Sequence, residues 1–122
     1  MVRTTLVAAT ALVAAALVTT ASARTASPKL SGTVGPGFTI SLKSAGVKVK
    51  TLKAGTYTLT VADRARIHSF VLEQQSGGGF DKAITSVRFT GTKTVQVTLR
   101  RGKWKYYCSA HEASMFGFFT VT

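Results

Sequence analysis

His68, Cys108, His111 and Met115 are the only residues of their types in the chain apart from Met1. Three of them fall within the run Cys108-Ser109-Ala110-His111-Glu112-Ala113-Ser114-Met115. Two imidazoles and a thiolate in a trigonal arrangement, with a weak axial thioether, are the ligands that a mononuclear electron-transfer copper ion takes. Copper(I) prefers soft sulfur and copper(II) accepts imidazole and anionic sulfur, so a mixed set suits both oxidation states. Zinc is the rival, since one Cys and two His bind it, yet structural zinc sites take four N, S or O ligands and seldom methionine. The blandest alternative is no metal, because a single His or Met is more often packed in a core than bound to an ion. One copper ion per chain, held by His68, Cys108, His111 and Met115, is the expectation.

Those four residues need elements that carry one ligand to the other three. After residue 31 the chain alternates apolar and polar positions with period two, the mark of half-buried strands. Phe38, Ile40 and Leu42 alternate with polar neighbours, and so do Val47 and Val49, Tyr57, Leu59 and Val61, Val95, Val97 and Leu99, and Trp104, Tyr106 and Cys108. Turn signals punctuate these runs at Gly35-Pro36-Gly37, Ala45-Gly46, Ala54-Gly55, Gly77-Gly78-Gly79, Gly91 and Gly102. The pattern predicts an all-β sandwich or barrel with strands near 38–43, 46–51, 56–62, 67–73, 84–90, 93–99, 103–108 and 116–122. Cys108 then ends a strand on the face shared with Trp104 and Tyr106, and His68 lies in another strand on the face of Phe70 and Leu72. The small residues Ser109, Ala110, Ala113 and Ser114 let the intervening loop turn around an ion. Cys108, His111 and Met115 also match one face of a helix, but the flanking runs are β-like, which leaves room for a helical turn at most.

Trp104, Tyr106, Phe70 and Phe119 read as core aromatics. Phe116 and Phe118 face the other way, either in an apolar rim around His111 or against the N-terminal lead-in.

Residues 1–23 read as a secretory signal. Arg3 supplies the charge, Leu6 to Val18 form an apolar stretch broken by Thr10, and Ala21-Ser22-Ala23 offers a cleavage pattern. The stretch is shorter than the ~20 residues of a membrane-spanning helix, although an uncleaved anchor is the alternative. Residues 24–31 form a polar lead-in and 32–122 the copper-binding domain. Export places the protein in the periplasm, the cell envelope or outside the cell, where the lone Cys108 must pair with another chain, react, or be held by a metal. Loss of Arg3 lowers the formal charge from +12 to +11, enough to steer the chain toward anionic partners or envelope polymers. Scattered lysines also serve simply to solvate sheet faces. No nucleic-acid-binding motif is present.

Residues 32–122 resemble the cupredoxins, the small blue copper proteins related to plastocyanin and azurin, especially compact bacterial secreted members. The similarity lies in Gly55-Thr56-Tyr57-Thr58-Leu59-Thr60-Val61, in Asp63 through Leu72 with Ile67-His68-Ser69-Phe70, and in Trp104 through His111. It continues through Met115-Phe116-Gly117-Phe118-Phe119-Thr120-Val121. The family pattern of a cysteine, a histidine three residues on, a methionine and a Gly-x-Phe-x-Val strand falls on Cys108, His111, Met115, Gly117, Phe119 and Val121. Its upstream histidine falls on His68. The resemblance implies a Greek-key sandwich of about eight strands. Two positions depart from the family. Ser69 replaces a common asparagine, so its shorter side chain puts the tie to the ligand loop in question, while its backbone N–H can still point at the Cys108 sulfur. Ala110 replaces a common proline. Both bear on loop rigidity and redox potential.

The expected function is that of an exported, monomeric one-electron carrier that cycles Cu(I) and Cu(II), passes electrons to a redox protein partner through the His111 edge, and is not an enzyme. A dinuclear centre needs a second cysteine, and a trinuclear cluster needs more histidines. The alternatives are an envelope protein that buffers or delivers copper, and an adhesive β-domain with a vestigial site.

Overall fold

The computed structural model describes residue 11 and residues 13–122. Arg3, and residues 6–10 and 12 of the apolar stretch of the expected signal, therefore lie outside the described residues. Among the described residues no helix is long and apolar enough to cross a membrane. Residues 13–28 hold no strand.

Ten strands follow: β1 Lys29–Val34, β2 Ile40–Ser44, β3 Val47–Lys48, β4 Thr51–Leu52, β5 Gly55–Asp63, β6 Phe70–Gln74, β7 Asp81–Thr85, β8 Gly91–Leu99, β9 Gly102–Tyr107 and β10 Phe116–Val121. They form two five-stranded sheets, ordered β3-β2-β1-β5-β8 and β4-β10-β9-β6-β7. The chain passes between the sheets after β3, β4, β5, β7 and β8, as the Greek-key sandwich requires. Most neighbours are antiparallel, but β1 runs parallel to β5 and β4 runs parallel to β10. Parallel neighbours cannot be joined by a hairpin, which is why both pairings link segments separated by other strands.

The alternation seen in the sequence builds the core. Tyr57, Leu59 and Val61 of β5 and Val97 and Leu99 of β8 are buried, and they face Phe70, Leu72, Trp104, Tyr106, Phe119 and Val121 of the other sheet. Phe70 and Tyr106 stack with ring centroids 5.9 Å apart, and Trp104 stacks on Phe119 at 6.1 Å. The four aromatics expected in the core are there. Phe116 and Phe118 point outward and contact each other edge to face at 5.6 Å. The ammonium groups of Lys103 and Lys105 lie over the Phe118 ring at 4.7 and 5.8 Å, and Lys105 also lies 5.5 Å from the Phe116 ring.

Five sequence expectations change, the first being that the single strand expected at 46–51 is two short strands, β3 and β4, in different sheets. The stretch 24–31 is not all lead-in, because β1 starts at Lys29 and buries Leu30 between β2 and β5. Its Ser, Thr and Gly residues hid a central strand that alternation among large apolar residues could not show. Phe38 does not share the inward face of Leu42. The Gly35-Pro36-Gly37 turn, closed by Gly35 N–H to the Thr39 carbonyl at 2.9 Å, delays β2 to Ile40 and leaves Phe38 61% exposed. The strand expected at 67–73 begins only at Phe70, so His68 sits in the approach to β6 and not within a strand. The strand expected at 84–90 occupies 81–85 instead, because Arg88 takes a positive φ of 80° in a turn tied to the Arg66 carbonyl.

Candidate metal centre

One end of the sandwich gathers the start of β6, the end of β9 and the start of β10. Antiparallel pairing of β9 with both β6 and β10 sets Tyr107 beside Val71 and Phe116. The residues just beyond those pairs, His68 before β6 and Cys108 and Met115 between β9 and β10, are thereby brought to the same edge. Cys108 extends the inward alternation of Trp104 and Tyr106 and is buried, as are His68 and Met115. His111 is partly exposed.

The loop from Cys108 to Met115 is a chain of backbone turns. Cys108 N–H donates to the Met115 carbonyl at 3.0 Å, His111 N–H to the Cys108 carbonyl at 3.1 Å, and Met115 N–H to the His111 carbonyl at 2.8 Å. These bonds fold the loop back, so His111 and Met115 approach Cys108 without a helix. Lys105 on β9 fastens the loop's outer side through Glu112 at 2.7 Å.

Ser69 reaches farther than its length suggested. Its backbone N–H points at Cys108 Sγ from 3.4 Å. Its Oγ accepts from the Ser109 N–H at 2.9 Å and shares a hydrogen bond with the Ser109 hydroxyl at 2.7 Å. The ligand loop itself comes to meet the shorter side chain, and Ser109 is the partner that sequence reasoning did not assign. Asp63 organises the approach to His68, its Oδ1 accepting from the Ala65 N–H at 3.3 Å, the i to i+2 pattern of an Asx turn.

The three side chains converge on one point. His68 Nδ1 and His111 Nδ1 are 3.2 Å apart, and Cys108 Sγ lies 3.8 and 3.6 Å from them. A triangle with those sides has its centre about 2 Å from each corner, the length of a metal–imidazole bond. Two imidazole nitrogens and a sulfur facing one another at this spacing need a proton or a cation between them, because lone pairs directed at one point repel. The residues present fit a metal ion. His68 Nε2 is buried and has no protein partner, so this ring's polar contacts all lie on its Nδ1 side. The soft thiolate, the two imidazoles and the neighbouring methionine fit copper better than zinc. His68, Cys108, His111 and Met115 form a candidate copper site.

Burial raises the Tyr106 phenol above its ordinary 10.0, partly offset by a hydrogen bond with the Leu42 backbone. Tyr107 is raised too, first by burial and then by the carboxylates of Asp81, Glu73 and Glu112. Both phenols beside the site therefore stay neutral at neutral pH.

Phe38 is the further residue that the sequence did not assign to this site. Its ring meets His68 edge to face at 5.4 Å and His111 at 4.9 Å. The Gly-Pro-Gly turn before it was the available signal, since a turn there takes Phe38 out of the β2 alternation.

The two-sheet sandwich, with a His-Cys-His cluster beyond its strand ends, is similar in fold to solved cupredoxins. Solved structures of that class align with the chain. A rusticyanin carrying a methionine-to-glutamine substitution superposes with a TM-score of 0.56 at 19% identity, over 77% of this chain and 76% of that one. Rusticyanin from Thiobacillus ferrooxidans gives 0.53 at 22% identity over the same shares. Auracyanin A, a "blue" copper protein from Chloroflexus aurantiacus, gives 0.54 at 15% identity, over 77% of this chain and 98% of that one. At these identities the likeness is one of fold. No protein family model and no curated protein sequence matches the chain.

Proposed function

We propose that this chain is an exported type 1 copper protein that carries single electrons between redox partners. The observation that carries the reading is the triangle of His68 Nδ1, His111 Nδ1 and Cys108 Sγ, about 2 Å from a common centre. Copper bound there supplies a one-electron Cu(I)/Cu(II) couple. Cys108 contributes thiolate charge, and the Ser69 N–H aimed at its sulfur moderates that charge. Met115, buried and tied by its backbone to Cys108 and His111, would be the fourth residue to hold the ion, as a weak thioether donor. The closed loop and the Ser69–Ser109 bonds hold the donors in place, so little rearrangement accompanies a change of charge. His111, the one partly exposed member of the set, presents the edge that a partner protein approaches. The chain acts as a carrier and not an enzyme, and it works as a monomer. Export rests on the signal-like residues 1–23, whose cleavage leaves it in the periplasm or cell envelope.

Voltammetry of the copper-loaded protein tests the carrier role. A reversible one-electron wave, with copper retained in both oxidation states, is the expected result. Loss of copper on reduction contradicts it and favours a buffering or delivery protein.

A further inference from the structure

His68, Cys108 and Met115 are closed off from solvent, and the partly exposed His111 marks the side from which the centre can be reached. On that side the Phe38 ring stands edge to face against both imidazoles, at interplanar angles of 75° and 83°. The imidazoles meet each other at 5.0 Å and 75°, so each of the three rings meets the other two edge to face. Edge-to-face geometry is the favoured arrangement of such rings, yet Phe38 remains 61% exposed. A large aromatic kept at the surface contributes little to the core, and its contacts with the two imidazoles are what hold the ring in place.

Its backbone is not free. The turn is pinned by the Gly35 to Thr39 hydrogen bond, and Gly35 adopts φ +72°. A Cβ on Gly35 would lie 3.0 Å from His68 Cδ2 and 3.3 Å from the Ala65 Cβ, so the turn backbone rests directly on the ligand ring. A pinned backbone carrying an exposed ring against both imidazoles is the construction of a cover.

We propose that Phe38 is the gate of the metal centre: with its ring down it shields Cys108 from water and solutes, and its rotation admits and releases the metal ion. The metal part of this proposal rests on the copper reading, but the shielding of Cys108 does not. Phe38 acts through His68 and His111 as a positioning residue and is not itself a ligand.

The test uses the reduced, metal-free full chain. An aromatic disulfide reagent is attacked by the Cys108 thiolate, which forms a mixed disulfide and releases one coloured aryl thiolate. Trapping is expected to be slow in the wild type and to speed up about tenfold in Phe38→Ala, because removing the ring lowers the cost of local opening. Phe38→Trp should keep the slow rate. Phe118→Ala, which removes an exposed aromatic from the outer face of β10, should leave it unchanged. Urea midpoints measured alongside separate local opening from global unfolding, since a rate that merely tracks the midpoint across the variants counts against the gate. In copper-loaded protein, removal of the ion by a chelator should accelerate in Phe38→Ala by a similar factor.

Equal trapping rates in wild type and Phe38→Ala overturn the gate, even if the protein binds copper. Fast trapping in Phe38→Ala, in a protein that takes up no copper, upholds the shielding and removes the copper reading instead.

Discussion

Cys108 is buried in a chain that offers it no disulfide partner, and its chemistry is decided by the atoms that face its sulfur. Two imidazole nitrogens within 4 Å and one backbone N–H leave it equipped as a ligand. In the proposed copper site Met115 would set the balance between oxidation states. A weak thioether favours Cu(I), its removal favours Cu(I) further, and an amide oxygen favours Cu(II). Redox titration should therefore show Met115→Leu at a higher potential than wild type and Met115→Gln at a lower one. Each tenfold change in preference moves a one-electron potential by ~59 mV. Wild-type potentials in both variants would show that Met115 is not the axial ligand. The four candidate ligands stood out in the sequence because residue type alone restricts them. Ser69 and Phe38 were harder to read. Ser69 succeeds through the reply of Ser109, forty positions away in sequence, and Phe38 through the rings of two ligands, so neither shows itself by spacing.

The strands explain how the ligand geometry survives. The pairing of β9 with β10 places Gly117 opposite Tyr106, and a side chain on Gly117 would collide with the Tyr106 phenol ring. That ring is buried on the same inward face as Cys108 and stacks on Phe70, so the glycine keeps this part of the core closely packed. Gly117→Ala is expected to cost about 1–3 kcal/mol, the usual penalty of overpacking, measurable as a lower urea midpoint. An unchanged midpoint would mean that Tyr106 moves aside freely. Period-two patterning made β5, β8, β9 and β10 readable because each buries one face against the other sheet. It failed for β1, whose Lys-Leu-Ser-Gly-Thr-Val sequence offers only Leu30 and Val34 to the core. The approach to β6 was also misplaced, because His68 and Ser69 are buried for their side-chain bonds and not as strand residues.

At the scale of the molecule, charge is the dominant property: four acids stand against 16 lysines and arginines, and the described residues hold a single ion pair, Lys105 with Glu112. Lys43 and Lys48 even face each other across β2 and β3, a pairing that costs stability. Lysines on outer strands such as β3, β7 and β8 also discourage other chains from pairing there, which is the plainer account of their distribution. If the field instead guides partners, oxidation by an anionic oxidant should slow steeply as salt rises while a neutral one changes little. The Debye length falls from about 30 Å at 0.01 M to about 8 Å at 0.15 M. Equal salt slopes in stopped-flow measurements would assign the charge to solubility and edge protection. All of this presupposes the metal, and the visible spectrum during Cu(II) titration of the full chain tests it most directly. The account predicts an intense thiolate-to-copper band that saturates at one ion per chain and vanishes in Cys108→Ser. A chain that stays colourless with bound Cu(II), or a Cys108→Ser variant that turns blue, would contradict it.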